Sequence, residues 1–130
     1  MLRAIILAAF ALLLPVAAQA GGAPQTEIRC VQMHKQGETS SRCQSHFRRL
    51  YEKWRCIHEH EGAWNDPNGP YYGGLQMDIS FQRAHGWDFY RRWGTADRWP
   101  VWAQLVTAER AYRIRGFSPW PNTARTCGLR

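Results

Sequence analysis

The chain contains no C-x-x-C pair, no internal repeat and no low-complexity tract. The first absence argues against a zinc ribbon or finger, whose paired ligands need that spacing. The other two argue against a solenoid and against a disordered linker. Acids are also scarce: ten Asp and Glu stand against seventeen Lys and Arg, a net charge of +7 at neutral pH. Such a chain is drawn to anionic surfaces, whether cell-wall polymers, membranes or nucleic acid, and charge alone does not choose among them. Long apolar runs are nearly absent. The one that exists, from Ala4 to Leu14, is shorter than the roughly 20 residues of a bilayer-spanning helix.

The flanks of that run explain it. Arg3 precedes it and the small-residue pattern Ala18-Gln19-Ala20 comes after it. Residues 1–20 therefore read as a secretory signal peptide cleaved after Ala20, not as a stable membrane anchor. The expected location is secreted, in the cell wall or periplasm. About 110 residues remain, enough for one domain with a modest core. The four cysteines, Cys30, Cys43, Cys56 and Cys127, all lie beyond the leader. An even count in a small exported chain implies two disulfides in an oxidising compartment. Four cysteines permit three pairings. The favoured one joins the local pair Cys30–Cys43 and ties the C-terminus to the middle through Cys56–Cys127, each bond contributing about 3–4 kcal/mol by loop closure.

Residues 21–40 show no clear periodicity and read as an N-terminal arm. Ser41-Arg42-Cys43-Gln44 then fits a capping box, with a serine cap and a glutamine three residues on. Beyond it, Phe47, Leu50, Tyr51, Trp54 and Ile57 recur at spacings of three and four, the stripe of an amphipathic helix that Gly62 would stop. Arg48, Arg49, Lys53 and Arg55 fall mostly off the stripe, toward water. Asn65-Asp66-Pro67-Asn68-Gly69-Pro70 is a turn. Leu75 to Phe81 reads as a short strand or a helix approach. A short helix is expected over Ser80–Tyr90 and a longer one over Val101–Arg115, closed by Gly116. The sum is an α+β, mostly helical domain with a small β part after its first helix.

The segment HEHEGAW, from His58 to Trp64, holds two glutamates. Glu61 comes seven residues after Trp54, and seven residues turn a helix through about 700°, about 20° short of two full turns. Glu61 thus extends the apolar stripe. Glu59 lies about 200° away, on the wet face, four residues after Arg55, where an ordinary exposed ion pair is expected. Apolar surroundings and the negative end of a helix dipole both disfavour an ionised carboxyl, and a protonated carboxyl is what a general acid needs. The residues beyond Glu61 suit a sugar cleft. Trp64, Tyr71, Tyr72 and Trp87 offer flat apolar faces with polar edges. Gly73-Gly74 would let backbone approach a ligand closely, and Gln76 carries both a donor and an acceptor. His58 and His60 diverge on a helix and cannot share a metal with Glu61; no metal or cofactor is implied.

Trp54, six intervening residues, Glu61, Trp64 and then Tyr71-Tyr72-Gly73-Gly74-Leu75-Gln76 resemble the resuscitation-promoting factor, or transglycosylase-like, domain of actinobacterial proteins. Gln104-Leu105-Val106-Thr107-Ala108-Glu109-Arg110 is similar to that family's last helix. Gly116-Phe117, Trp120-Pro121 and Cys127-Gly128-Leu129-Arg130 resemble its C-terminal segment. Two places depart from the family. The link between Glu61 and Trp64 is two residues shorter, and the turn before Tyr71 lacks the family's threonine, so that residue's substrate contact is not implied. Anchoring instead on Trp64 would point to Glu59, which faces water and breaks the spacing from Trp54.

The resemblance implies a lysozyme-like domain over residues 41–130, with Glu61 catalytic. Its implied substrate is the β-1,4 bond between N-acetylmuramic acid and N-acetylglucosamine in peptidoglycan glycan strands. It implies a disulfide from the catalytic helix to the C-terminal segment, matching Cys56–Cys127. Trp64, Tyr71, Tyr72 and Gln76 are the expected substrate contacts. No second catalytic carboxylate stands out, although Asp66 and Asp78 are candidates. The expected chemistry is therefore that of a lytic transglycosylase, with muramidase hydrolysis next. The alternative is a non-catalytic wall-binding or signalling protein with the same fold. Other anionic wall polymers are secondary partners, nucleic acid is not expected, and the chain is expected to act as a monomer.

Overall fold

The computed structural model describes residues 24–129; the expected signal peptide lies outside them. The described residues are mostly helical, 66% helix against 4% strand, with one two-stranded sheet and two disulfides. In order come α1 (Gln25–Lys35), α2 (Ser41–Glu61), β1 (Tyr71–Tyr72), β2 (Met77–Asp78), α3 (Ile79–His85), α4 (Trp87–Trp93), a single 3-10 turn at Ala96–Arg98, α5 (Val101–Arg115) and α6 (Pro121–Thr126).

The expected stripe forms α2, which buries Cys43, Phe47, Leu50, Trp54 and Ile57. Its cap is one residue earlier than expected. Ser40, not Ser41, is extended and accepts a hydrogen bond from the Cys43 amide at 3.3 Å. Gly62 ends the helix as expected. Central to the core is α5, in which every residue from Ala103 to Ala108 is buried, so it is enclosed nearly all round rather than amphipathic. It packs against α2 on one side and α3 on another.

Two segments differ from expectation. Residues 25–35, inside the expected arm, form α1, which packs on α2. Its buried face comprises Glu27, Cys30 and Val31. Arg113 bonds both Glu27 oxygens, and Arg110 lies 3.5 Å from one of them. A face made of an ion cluster and a disulfide leaves no apolar period to read. The helix expected over Ser80–Tyr90 is two, α3 and α4, broken at Gly86. A Cβ there would lie 2.6 Å from Thr107 Oγ1 and 2.8 Å from Trp99, so the glycine lets this break sit directly on α5.

Both favoured disulfides are present: Cys30–Cys43 closes 13 residues and Cys56–Cys127 closes 71. They fit an oxidising compartment. Among the described residues no helix is long and apolar enough to cross a membrane.

Candidate active site

Three constraints converge on the C-terminal end of α2. Cys56, five residues before Glu61, is bonded to Cys127 just after α6. Trp54 meets Trp120 edge to face, with ring centroids 4.9 Å apart, and the Trp120 indole donates to the Leu75 carbonyl at 2.7 Å. The hairpin pairs Tyr71 with Asp78 and Tyr72 with Met77. Helix α6, the hairpin and the end of α2 thus come together around one opening.

That opening is a cavity of about 260 Å³ lined by Glu61, Tyr71, Gln76, Pro119, Trp120, Pro121, Asn122 and Thr123. Glu61 is half-buried, as its place on the stripe implied. Its Oε1 accepts a hydrogen bond from the Thr123 hydroxyl, while Oε2 has no protein partner among the described residues. A hydroxyl can donate or accept, so this contact can orient the carboxyl in either protonation state. Glu59 is exposed, with Oε1 4.0 Å from Arg55 Nε, the surface pair expected of it.

The expected contact residues divide. Tyr71 is 51% exposed and lines the cavity with Gln76. Gln76 Nε2 is already committed, at 3.0 Å to both Asp66 Oδ2 and the Gly73 carbonyl, so its Oε1 is the atom left for a ligand. Its backbone φ is +49°, a region that costs a non-glycine residue about 1 kcal/mol or more and is held by its surroundings. Trp64 is not in the cavity. It stacks on His58, centroids 4.0 Å apart, behind the hairpin turn. Tyr72 also turns inward, with its hydroxyl beneath Gly69. Trp87 is exposed but lies on α4, stacked on Tyr90 beside Arg91 and Arg92, in a different depression.

The glycine pair has a different use from the one expected. A Cβ on Gly73 would meet Gln104 Oε1 at 2.4 Å, and one on Gly74 would meet the Trp64 ring at 2.5 Å. The close approach is to the protein's own core. Buried Gln104 holds this arrangement. It accepts from the Gly74 amide at 2.9 Å and donates to the Trp64 carbonyl at 2.8 Å.

The two other candidate acids are engaged. Asp66 accepts from the Asn68 amide and side chain and from Gln76, and the Asn68 amide is the chief cause of its lowered pKa. Asp78 caps α3, and bonds from the Ser80 hydroxyl and the Phe81 amide hold its pKa down. The histidines have separate tasks: His58 Nδ1 is 3.2 Å from the Gly74 carbonyl and His60 Nδ1 is 2.8 Å from that of Cys56. Among the described residues, the cluster close enough to share an ion is Cys56, His60 and Cys127. Its two sulfurs form a disulfide, so it lacks the thiolates zinc would need.

No family model, no curated protein and no solved structure matches the chain.

Thr123 and Asn122 were not legible as site residues. The one available signal was indirect. Thr123 is four residues before Cys127, and Glu61 is five after Cys56, so the second disulfide brings them to the same place.

Proposed function

We propose that this groove cleaves the β-1,4 bond between N-acetylmuramic acid and N-acetylglucosamine in peptidoglycan, on a lysozyme-like fold with Glu61 as general acid and then general base. The observation that carries this reading is the half-buried Glu61 carboxyl in an open cavity, with one oxygen oriented by Thr123 and the other unpartnered among the described residues. Tyr71 offers the exposed face on which a sugar ring can lie, and Gln76 Oε1 can accept from an acetamido N–H. Two disulfides, which fit an oxidising compartment, suit a substrate outside the cytoplasm.

In the first half-reaction Glu61 protonates the glycosidic oxygen as its bond to the muramyl C1 breaks. In the second it accepts a proton from the group that attacks C1. Asp66 and Asp78 are occupied in a turn and a cap, which favours the substrate's own groups over a protein nucleophile or base. The acetamido oxygen can stabilise C1, and the muramyl 6-hydroxyl can attack it, giving Glu61 its proton back. The product then carries a 1,6-anhydro ring.

The test is digestion of purified peptidoglycan with mass spectrometry of the released fragments. Anhydromuramyl ends support transglycosylase chemistry, and reducing muramyl ends support hydrolysis instead. No released fragments, with binding retained, would leave the wall-binding, non-catalytic reading.

A further inference from the structure

The cavity at Glu61 is the smaller part of a longer trough. A second cavity of about 520 Å³ adjoins it, and Tyr71, Gln76, Pro119 and Trp120 line both. Its far wall carries Phe81 and His85 from α3 and Arg115 from the last turn of α5. A cleavage site explains one end of this trough and says nothing of the other.

Charge is unevenly satisfied along α5. Arg110 is paired with Asp88 at 2.8 Å, and Arg113 is paired with Glu27. Arg115, on the same helix, makes no ion pair among the described residues. The one carboxylate in the lining of this larger cavity is Asp78; its Oδ1 is 2.7 Å from both the Ser80 hydroxyl and the Phe81 amide in the α3 cap, and the Arg115 charge is only a lesser cause of its lowered pKa. The His85 ring makes no hydrogen bond among the described residues and leans on Phe81, centroids 4.8 Å apart. Burial first, and then the Arg115 charge, lower the His85 pKa. A neutral imidazole still has one N–H to donate.

We propose that Arg115 and His85 form a carboxylate-binding subsite at the far end of the trough, which selects glycans carrying an acidic substituent. This rests on reading the trough as a glycan site. A guanidinium fork matches a carboxylate in a bidentate way that a lysine cannot. Phe81 and Tyr71 supply the apolar floor between the subsite and Glu61. The carboxylate can come from two sources. One is the lactyl group of a peptide-free muramyl residue, and the other is a peptide stem attached to it.

Calorimetric titration with the Glu61→Gln full-length mature chain tests this without cleavage. Three ligands are compared: the N-acetylglucosamine tetramer, the peptide-free tetrasaccharide alternating N-acetylglucosamine and N-acetylmuramic acid, and the same tetrasaccharide with peptide stems. At least one acidic ligand should bind about tenfold more tightly than the neutral tetramer. Adding Arg115→Gln should bring that preference to within about threefold, chiefly by weakening the acidic ligands, and Arg115→Lys should restore part of it. Preference for the peptide-free form assigns the lactyl carboxylate, and preference for the stem form assigns the peptide. Equal binding of all three, or a preference that survives Arg115→Gln, overturns the subsite but leaves the glycan groove standing. If none of the three binds, the groove reading fails and the subsite fails with it.

Discussion

The two faces of the hairpin between α2 and α3 draw on neighbouring stretches of sequence and have opposite characters. Behind it, His58, Trp64, Gly74 and Gln104 interlock so closely that a single added methyl at Gly74 would collide with the Trp64 ring. In front, Glu61 Oε2, Gln76 Oε1, the Tyr71 ring and Arg115 have no such partners among the described residues. These groups line one continuous trough. Aromatic content alone does not distinguish the faces, because Trp64 and Tyr71 both stand in the same stretch of sequence. Their backbone position decides which is structural and which is available.

The sharpest way to break the contrast is to cut the tie that builds the front wall. Replacing Cys56 and Cys127 by serine should cost about 4 kcal/mol of stability, since this bond closes 71 residues. It should also abolish activity by freeing α6 and Thr123. Denaturant unfolding and digestion assays together check this. The matching change at Cys30 and Cys43, which close only 13 residues, should cost about 3 kcal/mol and spare more of the activity.

Next in size is an effect confined to the back. Gly74→Ala should destabilise by about 3 kcal/mol through overpacking against Trp64 and His58, read as a lower unfolding midpoint.

The front responds differently. Thr123→Val should lower turnover about tenfold, roughly 1.4 kcal/mol, and alter the pH–rate profile, while Thr123→Ser restores both. A positioning hydroxyl predicts that pattern, and a merely structural side chain does not. Smallest of all, Tyr71→Ala should weaken glycan binding by about 1 kcal/mol with an unchanged melting temperature, because the ring is already 51% exposed.

The sequence was most informative where burial is apolar and periodic. The stripe Phe47, Leu50, Trp54, Ile57 defines α2 and carries Glu61 onto its inner side. The boundaries Val101 and Arg115 of α5 are those expected, and both disulfides are those of the favoured pairing among the three that four cysteines permit. Where burial is polar, the pattern is silent. Helix α1 turns a glutamate and a cystine inward, and α6 hides only Ala124 in a Pro- and Gly-punctuated tail. The same limit explains the site. Glu61 was legible from helix geometry, and Tyr71 and Gln76 were named with it. Trp64 and Tyr72 could not be told from ligand-facing rings, because their inward packing depends on contacts with His58 and Gly69 that no local period encodes. Thr123 and Arg115 reach the trough through tertiary closure alone.

The most direct measurement is the release of soluble fragments from purified peptidoglycan by Glu61→Gln beside the unaltered chain, with sedimentation binding to the same material. Loss of all release with binding retained is the expected result, since the amide keeps the shape of the carboxyl but cannot transfer its proton. Undiminished release by the amide variant would mean that the carboxyl at the end of α2 is not the acid of this protein.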